Sequence, residues 1–186
     1  MTKDVNSKYT EMLNEMLSAE NAAIDRIQSR LNTPLQETKD KLQHHLQETQ
    51  NKQDRLRQLI TKLGRDPTDA KADLPKLMPP TTMMMKKAIK DTFKSVTDDK
   101  TDNPLPEEMD LMEIKQDAIA EGAEVKGYEA LIAITQKSSN LPQNDIIPLL
   151  KQSLQEEESL KQWYRENTPI AIDNLWPNIQ SAVVKS

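Results

Sequence analysis

The sequence contains no cysteine, three glycines and one phenylalanine among 186 residues, and aromatic side chains make up only 3% of it. Without thiols there are no disulfides, no thiolate metal sites and no cysteine nucleophile, a composition that suits a reducing cytoplasm. The glycines stand alone at 64, 122 and 127, so no glycine-rich phosphate loop is available. The only two histidines, His44 and His45, are neighbours, and no turn motif builds a serine, histidine and carboxylate set around them. A net charge of −5 with interspersed signs excludes a general nucleic-acid surface, which needs a basic face to neutralise phosphates. No basic-then-apolar leader opens the chain and no run of ~20 apolar residues occurs, so the reading is a cytoplasmic protein that neither crosses nor leaves a membrane. With 30% charged residues and so few aromatics, the composition fits one helical domain with a core of moderate size.

What the chain does have is helical periodicity interrupted by acid. Between residues 114 and 132, Ile114, Ala118, Val125, Tyr128 and Ile132 fall on one side of a helix, and Glu121 lies near the centre of that stripe. A buried ionised carboxylate costs several kcal/mol unless it is paired or metal-bound, so Glu121 predicts a partner elsewhere in the fold.

The rest of the chain repeats the pattern. A first helix is expected from about Ser7 to Leu31, with Glu20 replacing the apolar residue between Met16 and Ile24. Thr33, Pro34 and Gln36 then predict a capping box opening a second helix that runs to about Leu63 and stops at Gly64. Its stripe is Leu42, Leu46, Thr49, Leu56, Ile60 and Leu63, with His45 and Lys52 on one shoulder and Glu48 further out. A third helix, about 107–137, carries Glu121 inward and Glu124 at the edge of the same face. A fourth, from near Asp145 to about Asn167, carries Glu157 among Ile146, Leu150, Leu154, Leu160 and Tyr164, and tolerates Pro148 in its first turn.

Residues from about 65 to 106 are broken by prolines and read as a long crossover, with a short helix over 81–96 burying Met84, Met85, Ile89 and Phe93. The Met83 to Met85 run reads as filler of an irregular gap rather than as a copper site. The pattern therefore predicts an all-α protein: an antiparallel four-helix bundle over residues 1–168, with the crossover between helices 2 and 3, and a docked tail over 169–186. One acidic interruption per helix at similar depth predicts convergence on a single site. Glu20, His45, Glu48, Glu121, Glu124 and Glu157 are the candidate metal ligands, an oxygen-rich set that suits iron or manganese.

These residues resemble the YciE/YciF family of ferritin-like proteins. Leu17-Ser18-Ala19-Glu20 matches its first helix. His45-Leu46-Gln47-Glu48-Thr49, with Arg55-Leu56 and Leu63-Gly64, matches its second and is the most specific stretch. Glu121, Glu124, Val125 and Tyr128 match the third, and Leu149-Leu150, Leu154 and Glu156-Glu157 the fourth. The resemblance implies a ferritin-like fold, a bacterial stress-associated role in the cytoplasm, a homodimer, and a dinuclear metal site. Two positions depart from the family pattern: Lys52 stands one turn beyond Glu48, and Lys161 one turn beyond Glu157. An ammonium is no metal ligand at neutral pH and repels a cation. Two readings follow. Either both lysines swing outward and the carboxylates hold iron or manganese, or both fold inward and a metal-free structural or interaction bundle results.

Overall fold

The computed structural model describes residues 4–33, 35–72 and 105–185, with side chains to residue 181. Four helices account for most of them: α1 (Val5–Arg30), α2 (Gln36–Lys62), α3 (Pro106–Lys137) and α4 (Gln143–Lys185). The expected helix over 81–96 and the Met83 to Met85 run lie outside the described residues.

Helix ends follow local chemistry. Asp4 caps α1 by accepting from the Ser7 N–H at 2.6 Å. The capping box expected at Thr33 does not form. Helix α2 opens at Gln36 with Leu35 as its N-cap and no side-chain cap, while Thr33 Oγ1 accepts only from the Leu35 N–H at 3.4 Å. Leu35 is drawn into the apolar cluster of Ile114, Leu160, Tyr164 and Ala171, and burying that side chain fixes where the helix begins. At the other end Gly64 sits at φ 76°, its N–H bonds the Thr61 carbonyl at 2.9 Å, and the Arg65 N–H bonds the Ile60 carbonyl at 3.2 Å. That paired closure is the Schellman arrangement, which needs a left-handed residue.

The fourth helix differs from expectation. It does not end near Asn167 but continues through Pro169 and Pro177 to Lys185, and Pro148 lies in its second turn, not its first. Thr168 Oγ1 donates to the Tyr164 carbonyl at 2.6 Å and Asn167 Nδ2 to the Trp163 carbonyl at 2.9 Å, so side chains serve carbonyls just before Pro169. Beyond it Ala171, Leu175 and Ile179 are buried at four-residue spacing, which keeps the continuation packed.

Close packing within α1–α2 and within α3–α4 makes two hairpins. Between hairpins, Tyr9 meets Thr135 and Arg30 meets Asp117, so α1 runs antiparallel to α3. Lys52 meets Glu157 and Lys62 meets Asp145, so α2 runs antiparallel to α4. The end of α2 and the start of α3 therefore lie at opposite ends of an antiparallel four-helix bundle, and the crossover must travel its length. Its first residues do so along α1: Ala72 N–H bonds the Ser18 carbonyl at 2.8 Å, and Asn21 Nδ2 bonds the Ala70 carbonyl at 2.9 Å.

Each helix buries a line of residues in alternating steps of three and four: Tyr9, Leu13, Met16, Glu20, Ala23, Ile27 and Arg30 on α1; Leu42, His45, Thr49, Lys52, Leu56 and Leu59 on α2; Ile114, Asp117, Glu121, Glu124, Tyr128, Leu131 and Thr135 on α3; Ile146, Leu150, Ser153, Glu157, Leu160 and Tyr164 on α4. Apolar clusters close the two ends, one around Tyr9, Leu13, Ile60 and Leu131, the others around Ile27 with Leu42 and Leu160 with Tyr164. The charged residues lie between them. Among the described residues no helix is long and apolar enough to cross a membrane. Because Gly64 holds a positive φ, Gly64→Ala is expected to destabilise by about 1 kcal/mol, read as a lowered melting temperature with an unchanged helical spectrum.

Candidate functional site

In the α2 line of alternating steps, position 52 falls between Thr49 and Leu56, and a lysine there has no route to solvent. Its side chain is 0% exposed. The ammonium lies 3.3 Å from Glu20 Oε2 on α1 and forms a shorter contact with Glu157 Oε1 on α4. Glu20, Glu124 and Glu157 each offer an oxygen within 4.8 Å of the other two, so three helices converge their acids on the point that the fourth supplies with a cation. Tyr128 donates to Glu20 Oε1 at 2.7 Å.

The partner that Glu121 demanded is an arginine. Arg26 Nη2 lies 3.2 Å from Glu121 Oε1 and 3.4 Å from Glu124 Oε1, and its Nε lies 3.6 Å from Asp117 Oδ1. One turn on, Arg30 holds Asp117 Oδ2 at 3.2 Å and also pairs with Glu113, and Tyr164 donates to the same Asp117 oxygen at 3.2 Å. On the other side His45 Nε2 lies 3.6 Å from Glu121 Oε1. Glu48 stays at the rim with its side chain 16% exposed, 3.1 Å from His44 Nε2 and 3.9 Å from His45 Nδ1.

Of the sequence-predicted residues, then, Glu20, Glu124 and Glu157 come together, Glu121 and His45 form an adjoining layer, and Glu48 does not reach the centre. Glu124, expected at an edge, is buried along with Glu121. Lys161 is exposed while Lys52 is buried, so the structure follows neither reading that moved the two lysines together. At ~100° per residue Ser153, Leu160 and Tyr164 all lie to one side of Glu157, whereas Lys161 falls to the other and turns away from the core. Arg26, Arg30, Asp117 and Tyr164 were missed. Arg30 and Asp117 stand squarely on the alternating lines of their helices, which was the available signal; Arg26 reaches in from a shoulder and left none.

Electrostatics closes this core internally. Burial would drive the proton from Lys52, but the charges of Glu20, Glu124 and Glu121 outweigh it and hold the ammonium above its ordinary range. Burial likewise opposes a charged His45, and hydrogen bonds to Glu121 and Glu48 raise it nonetheless. Burial also works against ionised Glu121, yet the His45 hydrogen bond and the charges of His45, Lys52 and Arg26 keep it below the usual carboxylate range. Glu124 goes the other way: burial, then the charges of Glu121 and Glu20, push it up to about 7 against the pull of Lys52 and Arg26. The acids Glu20, Asp117, Glu121, Glu124 and Glu157 thus face the basic side chains Lys52, Arg26, Arg30 and His45. Each acid that a dimetal site would share also contacts a basic side chain of the protein, while Glu20, Glu124 and Glu157 form a group whose oxygens could hold a metal ion.

Two tests follow. Lys52→Ala leaves Glu20 and Glu157 without their cation and should destabilise by ~3 kcal/mol, as for breaking a buried pair; exposed Lys161→Ala should change stability by no more than ~0.5 kcal/mol. Paired urea melts check both. For Glu124 the folded value of about 7 exceeds the unfolded 4.5, so its contribution is present below 4.5 and is lost as pH rises through 7. Glu124→Gln should therefore match the parent near pH 5 and exceed it near pH 8.5 by on the order of 2 kcal/mol, measured by melting at both pH values.

Comparison with known proteins places the fold. A family model described as Domain of unknown function (DUF892) matches residues 4–174. No curated protein matches the chain. A protein of Xanthomonas campestris pv. campestris, 14% identical, superposes with a TM-score of 0.70 over 95% of this chain and 99% of its own. A Desulfovibrio desulfuricans bacterioferritin, described by its diiron site, is 18% identical and superposes with a TM-score of 0.61 over 96% of this chain and 87% of its own. At such identities the likeness speaks for the fold alone, which is a ferritin-like four-helix bundle.

Proposed function

We propose that this chain, which belongs to the DUF892 family and has the ferritin-like fold, is a stress-associated cytoplasmic bundle of the YciE/YciF kind whose carboxylate core works without iron or manganese. In this reading the protein serves as a structural or protein-interaction bundle, homodimeric as the resemblance implies, and not as a redox enzyme. The observation that carries it is the fully buried Lys52 ammonium against both Glu20 and Glu157. A fixed ammonium repels a divalent ion from the same oxygens, and Arg26 does the same for Glu121 and Glu124.

A second reading, in which the core holds a metal ion, draws on a separate observation. Glu121 Oε2, Glu124 Oε2 and Glu157 Oε2 are buried and accept no hydrogen bond, and unsatisfied carboxylate oxygens are what a hard cation seeks. Bound metal would supply Lewis-acid or redox chemistry at Glu20, Glu124 and Glu157. Elemental analysis of protein purified from iron- and manganese-supplemented cells separates the two. The first reading expects no stoichiometric iron or manganese and an unchanged melting temperature on chelation; one or two ions per chain, removed with a fall in melting temperature, would install the second.

A further inference from the structure

Among the described residues Lys52 is the one buried lysine. Its side chain and those of Glu20 and Glu157 are each 0% exposed, and the residues one turn away on α2 and α4, Thr49, Leu56, Ser153 and Leu160, are buried as well. The pairs of Lys62 with Asp145 and Lys71 with Asp25 are about half exposed, so water competes for both partners there. The arginines of the core stay protonated and are no nucleophiles. A lysine amine becomes one when it loses its proton to a neighbouring base.

The parts of an acyl transfer meet in this water-excluded place. The Lys52 nitrogen is in contact with Glu157 Oε1, one bond from the carboxyl carbon. Glu20 Oε2 lies 3.3 Å from the same nitrogen, and Tyr128 donates to Glu20 Oε1 at 2.7 Å and so orients that carboxylate. Glu157 Oε2 is buried without a hydrogen-bond partner. Condensation of the amine with Glu157 expels one carboxyl oxygen as water and removes two charges from the interior, where both are costly.

We infer that Lys52 and Glu157 condense into an isopeptide bond that ties α2 covalently to α4, with Glu20 as the proton shuttle. Glu20 takes one proton from the ammonium, and the freed amine attacks the Glu157 carboxyl carbon. A C–N bond forms, a C–O bond breaks, and the oxygen leaves as water with the proton returned by Glu20 and a second from the nitrogen. One ammonium and one carboxylate become one amide and one water, nothing is oxidised or reduced, and Glu20 is regenerated. In bulk water such a condensation runs towards hydrolysis, but groups held in contact react at effective concentrations of ~10⁵ M or more, which favours the amide. The inference rests on the metal-free reading, in which an ammonium and not an ion lies between Glu20 and Glu157; that ion pair is the reactant.

Intact-mass spectrometry of the unfolded full chain reads the bond as the loss of one water from the sequence mass. Trypsin then locates it. Acylated Lys52 resists cleavage, so residues 42–55 stay whole and joined to residues 152–161, and fragmentation distinguishes a branch at Glu157 from one at Glu156 or Glu158. The expected result is the branched peptide in the parent, none in Lys52→Arg, which keeps a cation but no amine, and a cross-linked fraction at least about tenfold lower in freshly purified Glu20→Gln. The full sequence mass with cleavage after Lys52 in the parent overturns the inference, and that measurement needs no variant to fold. A branch at another residue overturns it too, as does cross-linking undiminished in Glu20→Gln. Stoichiometric iron or manganese in the same parent sample refutes the metal-free reading and the inference with it, whereas an unmodified Lys52 in metal-free protein refutes the inference alone.

Discussion

The bundle depends on inward basic side chains of one hairpin meeting inward acids of the other. Helices α1 and α2 bring Arg26, Arg30, His45 and Lys52 to the interface, and α3 and α4 bring Asp117, Glu121, Glu124 and Glu157. Among the described residues no cation is buried on the α3–α4 side. Glu20 is the exception in sign, an acid on the cationic hairpin, and it is held by Lys52 across α1–α2 and by Tyr128 across the interface. Neither hairpin could bury its inner face alone, since each would leave charges of one sign with neither water nor partner.

Buried pairs of this kind seldom add net stability, because desolvation offsets most of the Coulombic gain. Their value lies in register. An apolar line tolerates sliding by a turn at modest cost, whereas Arg30 on Asp117, Lys52 on Glu157 and Arg55 on Glu156 match only in one alignment. The apolar clusters at the two ends supply the driving force, and the charged layer between them selects a single arrangement. The same layer places an ammonium and two guanidinium groups beside the acids between the helices.

Much of this was legible in the primary structure. The four helices, the hairpin pairing and the inward acids at 20, 121 and 157 follow from periodicity, because an amphipathic helix writes its buried face into residue spacing. Gly64 announced the end of α2 for an equally local reason. The same rule went further than hydrophobicity alone suggested: His45, Lys52, Arg30 and Asp117 all sit on the alternating lines, but long or charged side chains invite assignment to a shoulder or to solvent. The continuation of α4 past Pro169 was not legible, because it rests on the burial of Ala171, Leu175 and Ile179, which depends on tertiary packing.

The sequence by itself determined an all-helical chain with acids directed inward, since spacing along one helix is a local property. Only the tertiary structure decided which cation meets which acid. Lys52 and Lys161 each stand four residues beyond a glutamate, yet one is sealed in the core and the other faces solvent. The side on which each lysine falls is set by its helix's alternating line, but the acid that Lys52 meets, Glu157 on α4, is brought to it only by the packing of one hairpin on the other.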